Sequence, residues 1–301
     1  MEMAKPIAIL LSDIHLCHSV PAARCAEPDW YAAMERTLQQ IRKMAMELDC
    51  LVLCAGDVFD KWNANPELVN WAITHLPKMV SIPGQHDLPH HSQEDIDKSA
   101  YMTLVHAGVI TNHPAGRVIS FDDRKLRVHM FPWGSDVKSI EKIDDGFLNV
   151  ALVHSYVWVK DHVYPGAAQE QELVKWRKRL EGYDVAVFGD NHSGFLSSVG
   201  DCIVVNCGCL IQRKQNEREY VPTIGFLYSN GSIVFKDVGI EEDDLWVDPV
   251  ISVSTTDMSS FLEEVQKLSS DSLDFTDAIN KGLIDLDGGV KKVVIQVMED
   301  M

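Results

Sequence analysis

Apolar residues in this chain fall in short runs, and several of those runs stop abruptly on acidic or imidazole side chains. Ile7-Ala-Ile-Leu-Leu11 runs straight into Ser12-Asp13-Ile14-His15. A short apolar run rich in branched residues reads as a strand buried on both faces. From Pro28 to Leu48, Met34, Leu38, Ile41, Ala45 and Leu48 recur at three-to-four spacing with polar residues between them, which predicts a helix with one face on a core. A second buried strand, Cys50 to Cys54, ends on Gly56-Asp57-Val58-Phe59-Asp60. Strand, helix and strand in this order predict a right-handed crossover. Asn65-Pro66 supplies an N-cap and a first-turn proline for a helix to His75. A third strand, Lys78 to Ile82, leads into Pro83-Gly84-Gln85-His86-Asp87.

The pattern continues with a polar loop from Leu88 to Asp97 that carries His90 and His91, and a helix from Ser99 to Ala107. Strands are expected at Arg117 to Phe121, Leu126 to Phe131 and Phe147 to Val153, the last ending on His154. A helix is expected from about Gln169 to Leu180, then a strand from Tyr183 to Phe188 that ends on Gly189-Asp190-Asn191-His192. After that come short strands, Phe195 to Val199, Cys202 to Asn206, Thr223 to Tyr228 and Ile233 to Val238, with Ser229-Asn230-Gly231 as a hairpin turn. Without helical crossovers this second half of the core is expected to be antiparallel. The acidic run Glu241 to Asp244 marks a boundary. It divides the chain into a main domain, 1–240, and a small α/β appendix, 241–301, the latter short of the size that usually folds unaided.

Composition narrows the function classes. Hydrophobic content of 46% and charged content of 24% are those of a globular protein. No apolar run approaches the length of a membrane span, and the first residues lack the pattern of a secretory signal. Seven cysteines, an odd number partly inside strands, fit reduced thiols and a cytoplasmic setting. Cys207-Gly208-Cys209 is too tight a pair for a zinc site. The formal charge of -18 repels polyanions, so if DNA is the substrate a partner must supply much of the grip.

Strand ends are where open α/β folds place ligands, and here five of them carry Asp13/His15, Asp57, Gln85/His86, His154 and Asp190/His192. The ordered set Asp13-Ile-His15, Gly56-Asp57-Val-Phe-Asp60, Gly84-Gln85-His86-Asp87, Val153-His154-Ser155 and Gly189-Asp190-Asn191-His192 resembles the signature of the calcineurin-like metallophosphoesterases. The resemblance implies an α/β/β/α fold, a β-sandwich flanked by helices, and a phosphoester hydrolase with two divalent metal ions. By motif position the first metal takes Asp13, His15 and His192, with Asp57 as the bridge. The second takes Asp57, Gln85, His154 and Asp190. His86 matches the histidine that protonates the leaving group, a role suited to imidazole near neutral pH, and Asp87 matches its orienting partner.

Two positions depart from that signature, and both fall on the second metal. Gln85 stands where Asn is usual and Asp190 where the first His of Gly-His-x-His is usual. A carboxylate in place of an imidazole makes the site more oxygen-rich, which favours Mn, or Mg, over Zn, with Fe also compatible. The two changes either compensate each other or leave the second site weak or empty.

Within the superfamily, the long helix after Asp-x-His, the Lys61-Trp62 pair and His86-Asp87-Leu88-Pro89 resemble the SbcD-type DNA-repair nucleases, particularly phage versions. Asn206-Cys-Gly208-Cys-Leu210-Ile-Gln-Arg213 is similar to their Asn-Pro-Gly-Ser-Leu-x-Arg segment. This implies an exonuclease or endonuclease on DNA, working with an SMC-like ATPase or as a homodimer. Lys61, His90, His91 and Arg213 are the candidate substrate contacts, with Lys214 and Arg218 completing a basic strip. The competing readings are a phosphoesterase acting on nucleotides or small esters, and a weakly active scaffold of the same fold.

Overall fold

Strand β1 (Ala8–Leu11) sends Ile9 and Leu11 into one apolar core and Ala8 and Leu10 into another. A strand buried on both faces needs cover on both, and the rest of the chain supplies it. The computed structural model describes residues 5–160, 162–163, 167–214, 217–218 and 220–238. The expected appendix, 241–301, and the boundary before it lie outside the described residues.

In chain order, β2 (Leu51–Cys54), β3 (Met79–Ser81) and β4 (Ile110–Thr111) join β1 as parallel neighbours. β5 (Val118–Phe121), β6 (Leu126–Phe131), β7 (Leu148–Val153), β8 (Val185–Phe188), β9 (Phe195–Val199) and β10 (Cys202–Asn206) form a second sheet. β11 (Thr223–Leu227) and β12 (Ile233–Asp237) then return to the first. The strand orders are β12-β11-β1-β2-β3-β4 and β5-β6-β7-β8-β10-β9. Leu10, Leu53 and Val80 of the first sheet meet Val128, Leu152 and Val187 of the second in one buried cluster. Each such side chain contributes about 1.5–3 kcal/mol by leaving water.

Three helices cover the outer face of the first sheet: α1 (Trp30–Leu48), α2 (Pro66–His75) and α3 (Ala100–His106). Their starts follow from local chemistry. Asp29, Asn65 and Ser99 each accept a hydrogen bond from a first-turn backbone N–H. The outer face of the second sheet is covered differently. The expected helix from Gln169 to Leu180 is two 3-10 turns, Gln169–Gln171 and Leu173–Trp176. The reason is a strand-like bridge in which Trp158 N–H donates to Gln171 and Leu173 N–H donates to Trp158, so those groups are lost to a helical ladder. Leu173, Trp176 and Leu180 still bury the face that gave them their spacing.

The expected antiparallel second half holds for β9, β11 and β12. β10, however, lies parallel to β8, with the β9 hairpin arm outside it. The two-residue β4 is too short to show a period in the sequence.

Candidate metal centre

Because β1 and β2 are parallel and in register, their carboxyl ends arrive side by side. Asp13 N–H donates to Gly56 and His15 N–H to Asp57, at 3.0 and 2.9 Å, and Leu16 pairs with Phe59 just beyond. Asp13, His15, Asp57 and Asp190 all have positive φ, between 50° and 73°. Such backbone costs of order 1–3 kcal/mol per residue and persists where the surroundings enforce it. Glycine permits the closest approach. A Cβ on Gly84 would lie 2.0 Å from Asp57 Oδ1, and one on Gly56 would lie 2.4 Å from His154 Nδ1. The motif glycines are therefore required by side chains that belong to other motifs.

One half of the centre gathers Asp13, His15 and His192, whose ligand atoms converge. His15 Nε2 faces His192 Nε2 at 3.1 Å and Asp57 Oδ2 at 3.7 Å. Burial, then the nearby Arg213 and the other histidines, holds the His15 ring below its ordinary range. Burial pushes Asp13 up to about 6, against the pull of His154 and His192. His192 Nδ1 donates to Glu217 Oε1 at 3.2 Å, while Glu217 Oε2 accepts the backbone N–H groups of Arg213 and Lys214. Burial works against the Glu217 charge, but these three hydrogen bonds outweigh it and hold the group down to about 2.

The other half gathers Asp57, His154, Gln85 and Asp190. His154 Nδ1 donates to the Ala55 carbonyl at 2.5 Å, which turns Nε2 toward Asp57 Oδ2 (3.4 Å) and Gln85 Oε1 (2.7 Å). Burial disfavours the imidazolium, yet the facing Asp57 carboxylate outweighs burial and raises His154 to about 10. Gln85 Nε2 donates to Asp190 Oδ1 at 2.7 Å, and Asp190 N–H donates to Asp13 Oδ1 at 3.0 Å. All seven expected ligand residues thus come together in one cluster.

His86 sits at the edge of this cluster, half-buried, with its ring centroid 4.9 Å from that of His15. Its Nδ1 donates to the Asp60 carbonyl at 2.8 Å, so the orienting contact expected from Asp87 comes from Asp60 instead. Asp87 is fully buried and its oxygens accept the backbone N–H groups of Val58, Phe59 and Gly84. It ties the second motif to the third rather than touching the His86 ring. Arg213 is likewise inward, 9% exposed and hydrogen-bonded through Nη1 to Asp60 Oδ1. Lys61, His90, His91, Lys214 and Arg218 are exposed. The His90 ring lies against Trp62 and the His91 ring against Trp133.

Asp13 Oδ2, His15 Nδ1 and Asp57 Oδ2 are buried without a hydrogen-bond partner, an arrangement that costs about 1–3 kcal/mol or more per group. His15 Nδ1 faces Asp60 at 3.9 Å, while the Asp13 and Asp57 carboxylates and the Nε2 atoms of His15 and His192 converge; such a carboxylate and imidazole set fits divalent cations. The profile of the calcineurin-like phosphoesterase superfamily domain matches residues 7–226. The chain belongs to this superfamily. It is accordingly a hydrolase of phosphoric esters.

Among solved structures, an archaeal phosphodiesterase is 12% identical over 76% of this chain and 98% of its own, with a TM-score of 0.40. The Thermus thermophilus sulfate thiohydrolase SoxB is 13% identical over 78% of this chain and 57% of its own, with a TM-score of 0.46. A Staphylococcus aureus protein described as a candidate 5'-nucleotidase is 9% identical over 80% of this chain and 55% of its own, also at 0.46. The chain spans little more than half of the last two. No curated protein matches it. Among the described residues no helix is long and apolar enough to cross a membrane, and the seven cysteines are free thiols.

Glu217 and Asp60 are the contributors that the sequence did not single out as site residues. Asp60 was visible inside its motif but read as part of the pattern. Glu217 lies in no motif, and an acidic residue in a charged surface-like stretch gives no sign that it will fold back onto His192.

Proposed function

We propose that this chain is a dinuclear, Mn-preferring phosphodiesterase that cleaves DNA in the manner of the SbcD-type nucleases. The observation that carries the dinuclear reading is the inward convergence of two unpartnered buried carboxylate oxygens, Asp13 Oδ2 and Asp57 Oδ2, flanked by His15, His192 and His154. Asp13, His15 and His192 would hold one cation, Gln85 and His154 a second, with Asp57 between them and Asp190 beside the second. When bound, such a pair polarises the phosphate and lowers the pKa of an attacking water. The water oxygen forms the new bond to phosphorus as the ester oxygen leaves in line with it.

His86 stands at the outer edge with Nδ1 committed to the Asp60 carbonyl. Its Nε2 is therefore the atom that gives a proton to the departing oxygen. Lys61, His90 and His91, exposed beside the second and third motifs, are the proposed contacts to the nucleic acid. The DNA assignment is supported by the SbcD-like segments around His86 and Asn206. With a formal charge of -18, much of the grip on DNA falls to a partner, for which an SMC-like ATPase or a second copy of the chain is suited.

The same charge favours the second reading, an enzyme for nucleotides or other small phosphate esters. An assay with Mn2+ on linear DNA, hairpin DNA and a small aryl phosphodiester separates the two. Cleavage of both DNA forms supports the nuclease. Cleavage of the aryl ester alone overturns it in favour of the small-substrate enzyme, and cleavage of none overturns the catalytic reading.

A further inference from the structure

The two residues at which this sequence departs from the superfamily signature are 105 positions apart in the chain, and they touch. Gln85 Nε2 donates to Asp190 Oδ1 at 2.7 Å. A carboxylate only accepts hydrogen bonds, so it can face only the nitrogen end of the amide. That contact therefore decides which way the Gln85 amide points. Its oxygen is turned to within 2.7 Å of His154 Nε2, which itself lies 3.4 Å from the unpartnered Asp57 Oδ2. Only the oxygen of an amide serves a divalent cation, and it is the oxygen that faces the second cation position.

Asp190 is placed for this by its backbone. It has φ of 73° and donates its N–H to Asp13 Oδ1. Asn191, the next residue, is fixed through Nδ2 to the carbonyls of Val157 and His162. Among the described residues, Asp190 belongs to none of the groups of three or more acidic, histidine or cysteine side chains whose ligand atoms converge. Its backbone is tied to Asp13, and the hydrogen bond of its side chain to the centre runs through Gln85.

We propose that Gln85 and Asp190 are a single coupled replacement, in which Asp190 is a positioning residue that locks the Gln85 amide oxygen toward the second cation. Each side chain then requires the other. Asn at 85 is one methylene shorter and does not span from Asp190 to His154. His at 190 presents a donor in one tautomer, and a donor draws the amide oxygen away from the cation position. Asn at 190, isosteric with Asp, both donates and accepts and so leaves the amide free to turn. The proposal rests on the dinuclear reading above.

The test titrates Mn2+ into the full metal-free chain by calorimetry, with thermal unfolding to confirm folding. The chains are the parent, Q85N, D190H, D190N and Q85N/D190H. The parent is expected to take two equivalents. Each single variant should weaken the second by about ten- to hundredfold, the usual effect of losing an outer contact to a ligand, and leave the first unchanged. The double variant should recover the second equivalent. Unchanged second-site affinity in D190N, or losses that simply multiply in the double variant, would overturn the coupling while leaving two metals in place. A parent that takes up only one equivalent overturns the dinuclear reading and the coupling with it.

Discussion

The two halves of the metal centre are built from similar donors but are prepared for a cation in different ways. Around Asp13, His15 and His192 the ligand atoms are only partly satisfied by one another: Asp13 Oδ2 is unpartnered, and the His15 and His192 Nε2 atoms share one contact at 3.1 Å. The orienting contact comes from outside, where Glu217 takes the Nδ1 proton of His192. Around His154 the donors are bonded to one another, Gln85 to His154 on one side and to Asp190 on the other. A cation entering the first half takes the place of the His15–His192 contact and satisfies the free Asp13 oxygen, whereas one entering the second must replace the Gln85 contact and the proton that Asp57 holds on His154. The first half should therefore fill before the second, and at lower Mn2+ concentration. Asp57 reaches both, with Oδ1 on His86 N–H and Oδ2 toward His15 and His154.

The largest effect follows from removing what the halves share. Asp57→Asn keeps shape but halves the charge-bearing oxygens at the bridge, and turnover should fall by at least three orders of magnitude, about 4 kcal/mol of transition-state stabilisation. Calorimetry should show both Mn2+ equivalents weakened. Loss of one alone would assign Asp57 to one half and break the symmetry assumed for it. His86→Gln tests the opposite case, a residue placed in neither half. Turnover should drop about a hundred- to ten-thousandfold, the range for a general acid, with two Mn2+ equivalents retained. Loss of metal in that variant would make His86 a ligand.

A smaller change should separate the halves. Glu217→Gln leaves an oxygen for His192 Nδ1–H only by turning its amide N–H toward the backbone donors of Arg213 and Lys214, which Glu217 Oε2 now satisfies. The first Mn2+ equivalent should weaken about ten- to hundredfold. The second should change less. An equal loss at both would mean that the loop, rather than the His192 contact, carries the effect.

What the sequence revealed divides along chemical lines. The strand-end ligands were legible because each needs a particular side chain at a particular distance from an apolar run, as in Asp13-Ile-His15 after Ile7 to Leu11. α1, α2 and α3 were legible through their spacing and their caps at Asp29, Asn65 and Ser99. The segment from Gln169 to Leu180 misled because its apolar spacing is helical while its backbone groups are claimed by Trp158. Contacts between distant segments were not legible. Gln85 and Asp190 each looked like an isolated departure, Asp87 looked like a partner for His86, and Glu217 looked like surface. In each case the deciding partner is supplied by the fold.

Arg213 gives the smallest and most discriminating prediction, because sequence and structure assign it different work. As part of a basic strip it would bind DNA phosphates. In the structure it is buried and hydrogen-bonded to Asp60 Oδ1, and the carbonyl of the same Asp60 holds His86 Nδ1. Arg213→Lys preserves a positive charge beside the half-buried Asp60 carboxylate, but it loses the planar fork that fixes the contact. The loss of one charge-assisted hydrogen bond, about 1.5 kcal/mol, corresponds to about a tenfold change. If Arg213 is a strut for Asp60 and His86, that change appears in kcat, with KM untouched, and is the same for DNA and for a small aryl phosphodiester. A rise in KM for DNA alone would return Arg213 to the substrate surface and would place the edge of the centre that carries His86 closer to the nucleic acid than its burial implies.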